Sequence, residues 1–157
     1  AVDSLQIAGA AVTTGKIALN AATLPLFAFT SGTLALTTTD KVVQSVTSSD
    51  DVTVSFQPVF LSASFRLNFT PPTTEQIMPI ILTIKRAGEF VMSTTLNEFS
   101  PANVSTLLQS IYNFTIEAPV GSAAFLPEDF ELFLRKNSDA FDVDVSHRSI
   151  NLIGLKR

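Results

Sequence analysis

The stretch FLSASFRLNF, residues 60–69, alternates strictly from Leu61 onward, with an apolar side chain at every odd position and a polar one between. A period of two residues is the signature of a β-strand with one buried face. The same alternation recurs in residues 52–56, 130–134 and 141–145. Further strands are predicted for residues 25–29, 33–37, 78–85, 89–96, 111–117 and 149–156.

Turn-forming residues separate these runs, as expected for a chain of short strands. They include Pro58, Pro71-Pro72, Ala87-Gly88, Pro101 and the segments 119–121 and 137–139. A short helix is predicted only for residues 103–111, where apolar residues have helical spacing after Pro101. About ten strands with so little helix predict an all-β protein. We expect an antiparallel β-sandwich or jelly roll of the TNF/C1q-like type.

The length of 157 residues, 46% of them hydrophobic, suits one core and one compact domain. The first 23 residues differ from the rest, because residues 6–13 are partly repeated ten positions later. A repeat this small cannot bury its own apolar residues. We therefore predict a stalk at 1–23, with Ile7, Val12 and Ile17 covered by partner chains, and a tip domain at 24–157.

Charge and composition exclude several classes of function. The net charge is −4 and the ten Lys and Arg residues are scattered, which argues against nucleic-acid binding. The chain has no cysteine, so disulfides, thiolate metal sites and cysteine nucleophiles are absent. The uncharged run 17–39 is long enough to span a bilayer, but its proline and many hydroxyl residues favour strands instead.

Catalytic chemistry has little support in the sequence. The single histidine, His147, follows Asp144 and Ser146, and a strand would place it on the opposite face from both. The acidic residues near the C-terminal half lack the spacing of a calcium loop. We expect no enzyme activity, no cofactor and no metal.

Phenylalanine is unusually frequent, with 13 residues against one Tyr and no Trp. Phe60 and Phe133 fall on the strand faces opposite the apolar positions. A ring exposed there suggests contact with another subunit. We therefore add Phe60 and Phe133 to Ile7, Val12 and Ile17 as predicted trimer-interface residues, although a second sheet of the same chain could cover the two rings as well.

Three stretches resemble one viral family. Residues 5–14 (LQIAGAAVTT) are similar to the segment before the terminal domain of bacteriophage central tail fibres, and residues 146–157 (SHRSINLIGLKR) to their last strand. Residues 60–69 followed by 80–91 (IILTIKRAGEFV) resemble the family's strand, turn and strand. The family is the C-terminal part of host-specificity protein J and its relatives in siphophages.

This resemblance implies a homotrimeric fibre tip that binds a receptor on the bacterial surface. The receptor would be an outer-membrane protein, a pilus or a polysaccharide. It also implies contacts with other tail proteins, a place at the virion tail tip after assembly in the host cytoplasm, and a longer parent chain. The scarcity of Trp and Tyr favours a protein receptor over a polysaccharide.

The receptor-facing loops are predicted by assuming that the stalk and the C-terminal strand lie at the base. Counting hairpins backward from Arg157 then makes the turns at 86–89 and 146–148 and the loop 119–128 distal. The predicted receptor-binding residues are Arg86, Glu89, Phe125, Leu126, Glu128, His147 and Arg148.

Two other functions share these sequence features. A structural capsid or head-fibre protein, or a C1q/TNF-like trimeric module, would have the same fold and oligomer without a host receptor. A polysaccharide-degrading fibre tip would need a pair of carboxylates in a groove.

Overall fold

The computed structural model describes residues 23–47, 56–103, 105–118 and 129–156, and every regular element in them is a β-strand. The all-β prediction is therefore confirmed. The strands are β1 (Thr23–Thr30), β2 (Leu34–Ala35), β3 (Lys41–Thr47), β4 (Phe56–Phe69), β5 (Gln76–Arg86), β6 (Glu89–Ser100), β7 (Leu108–Ala118), β8 (Asp129–Lys136) and β9 (Val143–Lys156).

The strands form two antiparallel sheets. Sheet A has the order β1-β9-β4-β7, with β2 paired to β9, and sheet B has the order β3-β8-β5-β6. Of the consecutive strands, only β5 and β6 pair with each other as a hairpin; the chain otherwise crosses between sheets or skips neighbours. Apart from the two-residue strand β2, the eight strands of this nested order form a jelly roll, which confirms the predicted fold class. The trimer remains a prediction.

The core lies between the two sheets and is built from the alternating apolar positions. On β4, Phe65 is 1% exposed, and its ring packs against Tyr112 and Phe114 on β7, with centroid separations of 5.5 and 6.5 Å. Other inward residues of β4, β5, β8 and β9 are also at most 1% exposed: Leu61, Leu67, Phe69, Met78, Ile80, Leu82, Ile84, Phe130, Leu132, Leu134, Val145, Ile150 and Leu152. The strict alternation from Leu61 to Phe69 therefore marks a strand with one buried face, as the sequence predicted.

Strand β9 corrects one sequence prediction. Two strands, 141–145 and 149–156, were expected with a turn at 146–148, but β9 is continuous from Val143 to Lys156. A bulge interrupts its pairing with β4, because Ser64 and Arg66 face Ser149 and Ser146. His147 sits in the bulge with a φ of 48°. Before the bulge the inward residues of β9 have odd numbers, and after it they have even numbers. In the sequence this break in the alternation looks like a turn between two strands.

Other boundaries also differ from the predictions. The helix predicted at 103–111 does not form, since 108–118 is β7 and the described residues before it are irregular. Strand β3 was not predicted, and a register shift between Val42 and Gln44 breaks its period. Pro58 lies within β4 and does not end a strand.

The turn between β5 and β6 was predicted correctly. Ala87 and Gly88 form a two-residue connection with φ values of 48° and 80°. Positive φ at both positions belongs to the type I′ turn, whose twist matches that of a β-hairpin. Glycine adopts this backbone without strain at Gly88.

The sandwich has two distinct ends. At one of them β1 begins at Thr23 and β9 ends at Lys156, which are the first and last described residues; we call it the terminal end. The other, the distal end, carries the connections 31–40, 70–75, 101–107 and 137–142. There a backbone hydrogen bond from Thr70 N to Asp142 O, 3.0 Å, joins connections 70–75 and 137–142, and one from Lys136 N to Thr37 O, 2.9 Å, joins the end of β8 to connection 31–40.

Candidate binding surfaces

The predicted receptor-facing residues that the structure describes do not lie together at the distal end. The hairpin that carries Arg86 and Glu89 is at the terminal end, because β5 runs from the distal loop 70–75 toward it. The strands that flank loop 119–128 also end and begin at the terminal end. Counting β9 as two strands inverted the hairpin parity. The hairpin with Arg86 and Glu89, and the described strand ends on either side of residues 119–128, therefore lie at the base when the chain enters at Thr23.

Two of the predicted receptor-binding cations are buried. Arg86 is 3% exposed and lies over the ring of Phe130, 5.2 Å from its centroid. Arg148 is 7% exposed, its Nε has no hydrogen-bond partner among the described residues, and burial lowers its pKa. The structure therefore places both guanidinium groups within the sandwich and not on an open loop.

The other predicted receptor-binding residues have different positions. Glu89 is exposed beside the Ala87-Gly88 turn. His147 is exposed in the β9 bulge, where its Nδ1 lies 3.2 Å from Ser146 Oγ. Phe125, Leu126 and Glu128 lie outside the described residues.

The two predicted interface phenylalanines within the described residues lie on opposite sides of the molecule. Phe60 is on the outer face of sheet A, paired with Ile153 and Glu117, and is half-buried. Phe133 is on the outer face of sheet B, where Lys85 Nζ lies 4.6 Å from its ring centroid. Lys85 thus covers Phe133 within the same chain. Ile7, Val12 and Ile17 lie outside the described residues.

The distal end carries an exposed apolar pair that the sequence analysis missed. Ile77 near the start of β5 and Phe99 near the end of β6 face each other in register on the outer face of sheet B. They are 61% and 57% exposed, respectively. Leu107, in the loop that follows β6, is also exposed at this end. We call Ile77 and Phe99 the distal pair.

A buried lysine fixes the loop beside this end. Lys136 Nζ donates to the carbonyl oxygen of Phe141 at 2.9 Å and lies 3.3 Å from Asp139 and 3.5 Å from Asp142. Its side chain is 8% exposed, whereas both carboxylates are open to solvent. The ammonium group therefore holds loop 137–142 in place from inside.

The outer face of sheet A carries a shallow cavity of about 390 Å³. Serine, threonine and asparagine side chains from three neighbouring strands line it. We call this cavity the polar trough; these side chains are Ser62, Ser64, Asn113, Thr115, Ser149 and Asn151. It extends from β9 across β4 to the edge strand β7.

Two exposed aromatic rings stand beside the trough. Phe27 and Phe29 are 64% and 53% exposed on the outer face of β1, the strand next to β9. Their rings are nearly parallel, at 6°, with centroids 6.4 Å apart. In sequence they alternate with Leu26 and Ala28, which pack against the core. This pattern in TLPLFAFT is a local signal that the outer face of β1 is aromatic.

The sandwich is open between its edge strands β6 and β7. An apolar cavity of about 210 Å³ lies there, lined mainly by half-buried side chains that include Met92, Leu96 and Ile116. The Tyr112 hydroxyl donates to Glu98 Oε1, which links β7 to β6. Burial, and then the hydrogen bond and negative charge of Glu98, raise the pKa of Tyr112 above its ordinary value of 10.0.

The described segments were expected to hold no metal site, and a cluster of possible metal ligands is not found in them. They contain no group of three or more His, Asp or Glu side chains that could hold a metal ion. The same segments contain no helix that is long and apolar enough to span a membrane. The prediction that the protein is not an enzyme stays a prediction.

The chain was compared with known proteins. No family model matches it, and no curated protein matches it. Solved structures of infectious bursal disease virus are similar in fold. That of the Gt strain has a TM-score of 0.45 at 11% identity and covers 83% of this chain and 33% of its own. The structure of virus-derived T=1 particles has a TM-score of 0.40 at 12% identity, and the match covers 85% of this chain and 36% of the viral chain. The chain thus spans about a third of these viral proteins, and similarity at this level does not identify a function.

Proposed function

We propose that this chain is the receptor-binding tip of a homotrimeric tail fibre of the siphophage central-fibre type, and that it binds a bacterial surface receptor without catalysing a reaction. The observation that carries the proposal is the distal pair. Ile77 and Phe99 form an exposed apolar surface at the end opposite Thr23 and Lys156. A fibre that enters at Thr23 would present this end to the cell.

Adjacent exposed apolar side chains are typical of interaction sites, and aromatic side chains are frequent among the residues that contribute most to binding. Three copies around one axis would present three distal pairs on the same side. Modest affinity at each pair would then be multiplied, because the second and third contacts form at a high effective concentration.

Trimer formation has its own structural support. The apolar opening between β6 and β7 leaves Met92, Leu96 and Ile116 partly exposed. A neighbouring copy that presents a different surface could cover it. Contacts between two different surfaces form a ring such as a trimer when the rotation between copies closes.

The oligomer is tested by light scattering at micromolar concentration. The chain has a mass of 16.9 kDa, so we expect a species of about 51 kDa. A stable monomer would contradict the proposed trimeric fibre tip and favour a β-sandwich that is stable as a single chain.

Cell attachment is tested with labelled protein on bacteria that the parent virion infects. We expect the wild-type protein to decorate the cells, and the double variant Ile77→Ser, Phe99→Ser to lose at least tenfold in apparent affinity, since it removes two apolar anchors. The matched control is Phe90→Ser. Phe90 is 66% exposed and lies on β6, as Phe99 does, but near the terminal end.

The possible outcomes separate the candidate functions. Loss of attachment with Phe90→Ser but not with the double variant would show that the terminal end faces the cell. If the wild-type trimer does not decorate the cells at all, the structural alternative is favoured, a capsid, head-fibre or C1q/TNF-like module. Its interactions would then be with other parts of a particle or with a signalling partner.

A further inference from the structure

The polar trough is neutral and rich in hydrogen-bonding groups. Two rows of paired residues cross it, Asn151-Ser62-Thr115 and Ser149-Ser64-Asn113. None of these six side chains is charged. The charged residues in the flanking rows are Arg66 on one side and Glu117 on the other, one of each sign. A phosphate or polyanion would require clustered cations, and a metal ion would require carboxylates.

The trough keeps hydrogen-bonding capacity for a ligand. Ser62 and Thr115 hydroxyls lie 3.1 Å apart, and those of Ser64 and Ser149 lie 2.8 Å apart, so these four largely satisfy each other. The amides of Asn113 and Asn151 make no side-chain hydrogen bond within the described residues. Each amide offers two donors and a carbonyl acceptor. A ligand whose groups both donate and accept, as hydroxyls do, matches such a surface.

The two exposed rings continue the same rows. Phe27 pairs with Asn151, and Phe29 pairs with Ser149, so each ring stands at the end of one polar row. The faces of aromatic rings carry partial negative charge, which attracts the weakly positive C–H groups of an apolar surface. A pyranose has a C–H face and a rim of hydroxyls. It could pack that face on a ring while its hydroxyls reach the amides beside it.

We propose that the polar trough, with Phe27 and Phe29, binds a neutral oligosaccharide. The two nearly parallel rings, 6.4 Å apart, would take neighbouring sugar units, and Asn113 and Asn151 would bind their hydroxyls. The inference deepens the proposed attachment role and rests on it only for the source of the glycan, which would be the bacterial surface. It revises the sequence-based preference for a protein receptor, because that preference depended on the scarcity of Trp and Tyr and did not consider exposed phenylalanines.

A second copy of the chain is a poorer occupant of this face. The cores of subunit interfaces are more apolar than the rest of the protein surface. Burying the trough against another copy would leave the amides of Asn113 and Asn151 without partners unless the copy supplied them, at a cost of about 1–3 kcal/mol for each unsatisfied group. Sugar hydroxyls satisfy such groups directly.

The experiment is calorimetric titration of the purified protein with neutral gluco-, galacto- and manno-oligosaccharides and with an acidic oligosaccharide of similar length. We expect at least one neutral ligand to bind more tightly than the acidic one. Phe29→Ala and Asn113→Ala should each weaken that binding about tenfold, and Phe27→Ala with Phe29→Ala should abolish it. The matched controls on sheet B, Phe90→Ala and Asn97→Ala, should leave the affinity unchanged.

A second readout does not depend on the stability of variants. In NMR titrations, the side-chain amide signals of Asn113 and Asn151 should shift on addition of the neutral ligand, and that of Asn97 should not. Failure of every neutral oligosaccharide to bind at millimolar concentration would overturn the proposal, as would equal losses in the control variants. A lower solution mass for the Phe27→Ala, Phe29→Ala protein would show that a second copy covers the face. Since no cells are used, these outcomes are independent of the attachment assay.

Discussion

Phe65→Ala should lower the free energy of unfolding by about 3–5 kcal/mol. The ring is 1% exposed and lies between the sheets, in contact with Tyr112 and Phe114. Its removal loses the transfer free energy of the ring and leaves a cavity that rigid strands cannot fill. Because domains are typically stable by about 5–15 kcal/mol, this one change would remove a large share of the stability.

Chemical denaturation of the wild-type and variant proteins measures this effect. The control is Phe90→Ala, the same substitution at a ring that is 66% exposed, and it should change the stability by less than about 0.5 kcal/mol. Similar losses for the two variants would show that Phe65 is not a core residue, and the assignment of faces on β4 would then be wrong.

Lys136→Met should cost about 1.5–3 kcal/mol, the range for hydrogen bonds made by a charged group. Methionine keeps most of the apolar stem of the side chain but lacks the ammonium group, so it cannot donate to the Phe141 carbonyl or pair with Asp139 and Asp142. The carboxylates are solvated and lose little by themselves. Most of the cost arises from the carbonyl group and from the loosened loop 137–142.

The neighbouring residue provides the control. Arg135 Nε lies 3.3 Å from Asp40, but both side chains are partly exposed, so Arg135→Met should cost about 0.2–1 kcal/mol. Added salt should weaken the Arg135 contribution more than that of Lys136, because solvent-exposed pairs are screened. An equal loss for both variants, with equal salt dependence, would mean that the Lys136 contacts do not hold the loop.

The strand content of this protein follows from its sequence where one face of a strand is buried. Residues 61–69 alternate without a break because one face of β4 is buried against sheet B and the other face is not. The same logic failed at β9, where the bulge at His147 shifts the phase, and at β3, where the register shifts between Val42 and Gln44. A local irregularity of this kind has the same sequence pattern as a turn.

The candidate binding surfaces were less predictable, for a different reason. The aromatic face of β1 can be read from Phe27 and Phe29 alone. The trough beside it joins Ser62, Asn113 and Asn151, which are far apart in the chain and meet only through strand order. The wrong placement of the Arg86–Glu89 turn also came from strand order, because counting β9 as two strands exchanged the two ends of the sandwich.

The position of β9 constrains how the chain can fold during synthesis. It is the last strand, yet it lies inside sheet A between β1 and β4, so β1 has no neighbour until β9 arrives. While the ribosome is still translating residues 143–156, the strand edges of β1 and β4 are unpaired and available to other chains. Folding is therefore dominated by contacts between distant parts of the chain, which makes it slow. A nascent chain would therefore be exposed to mispairing until residues 143–156 have been translated.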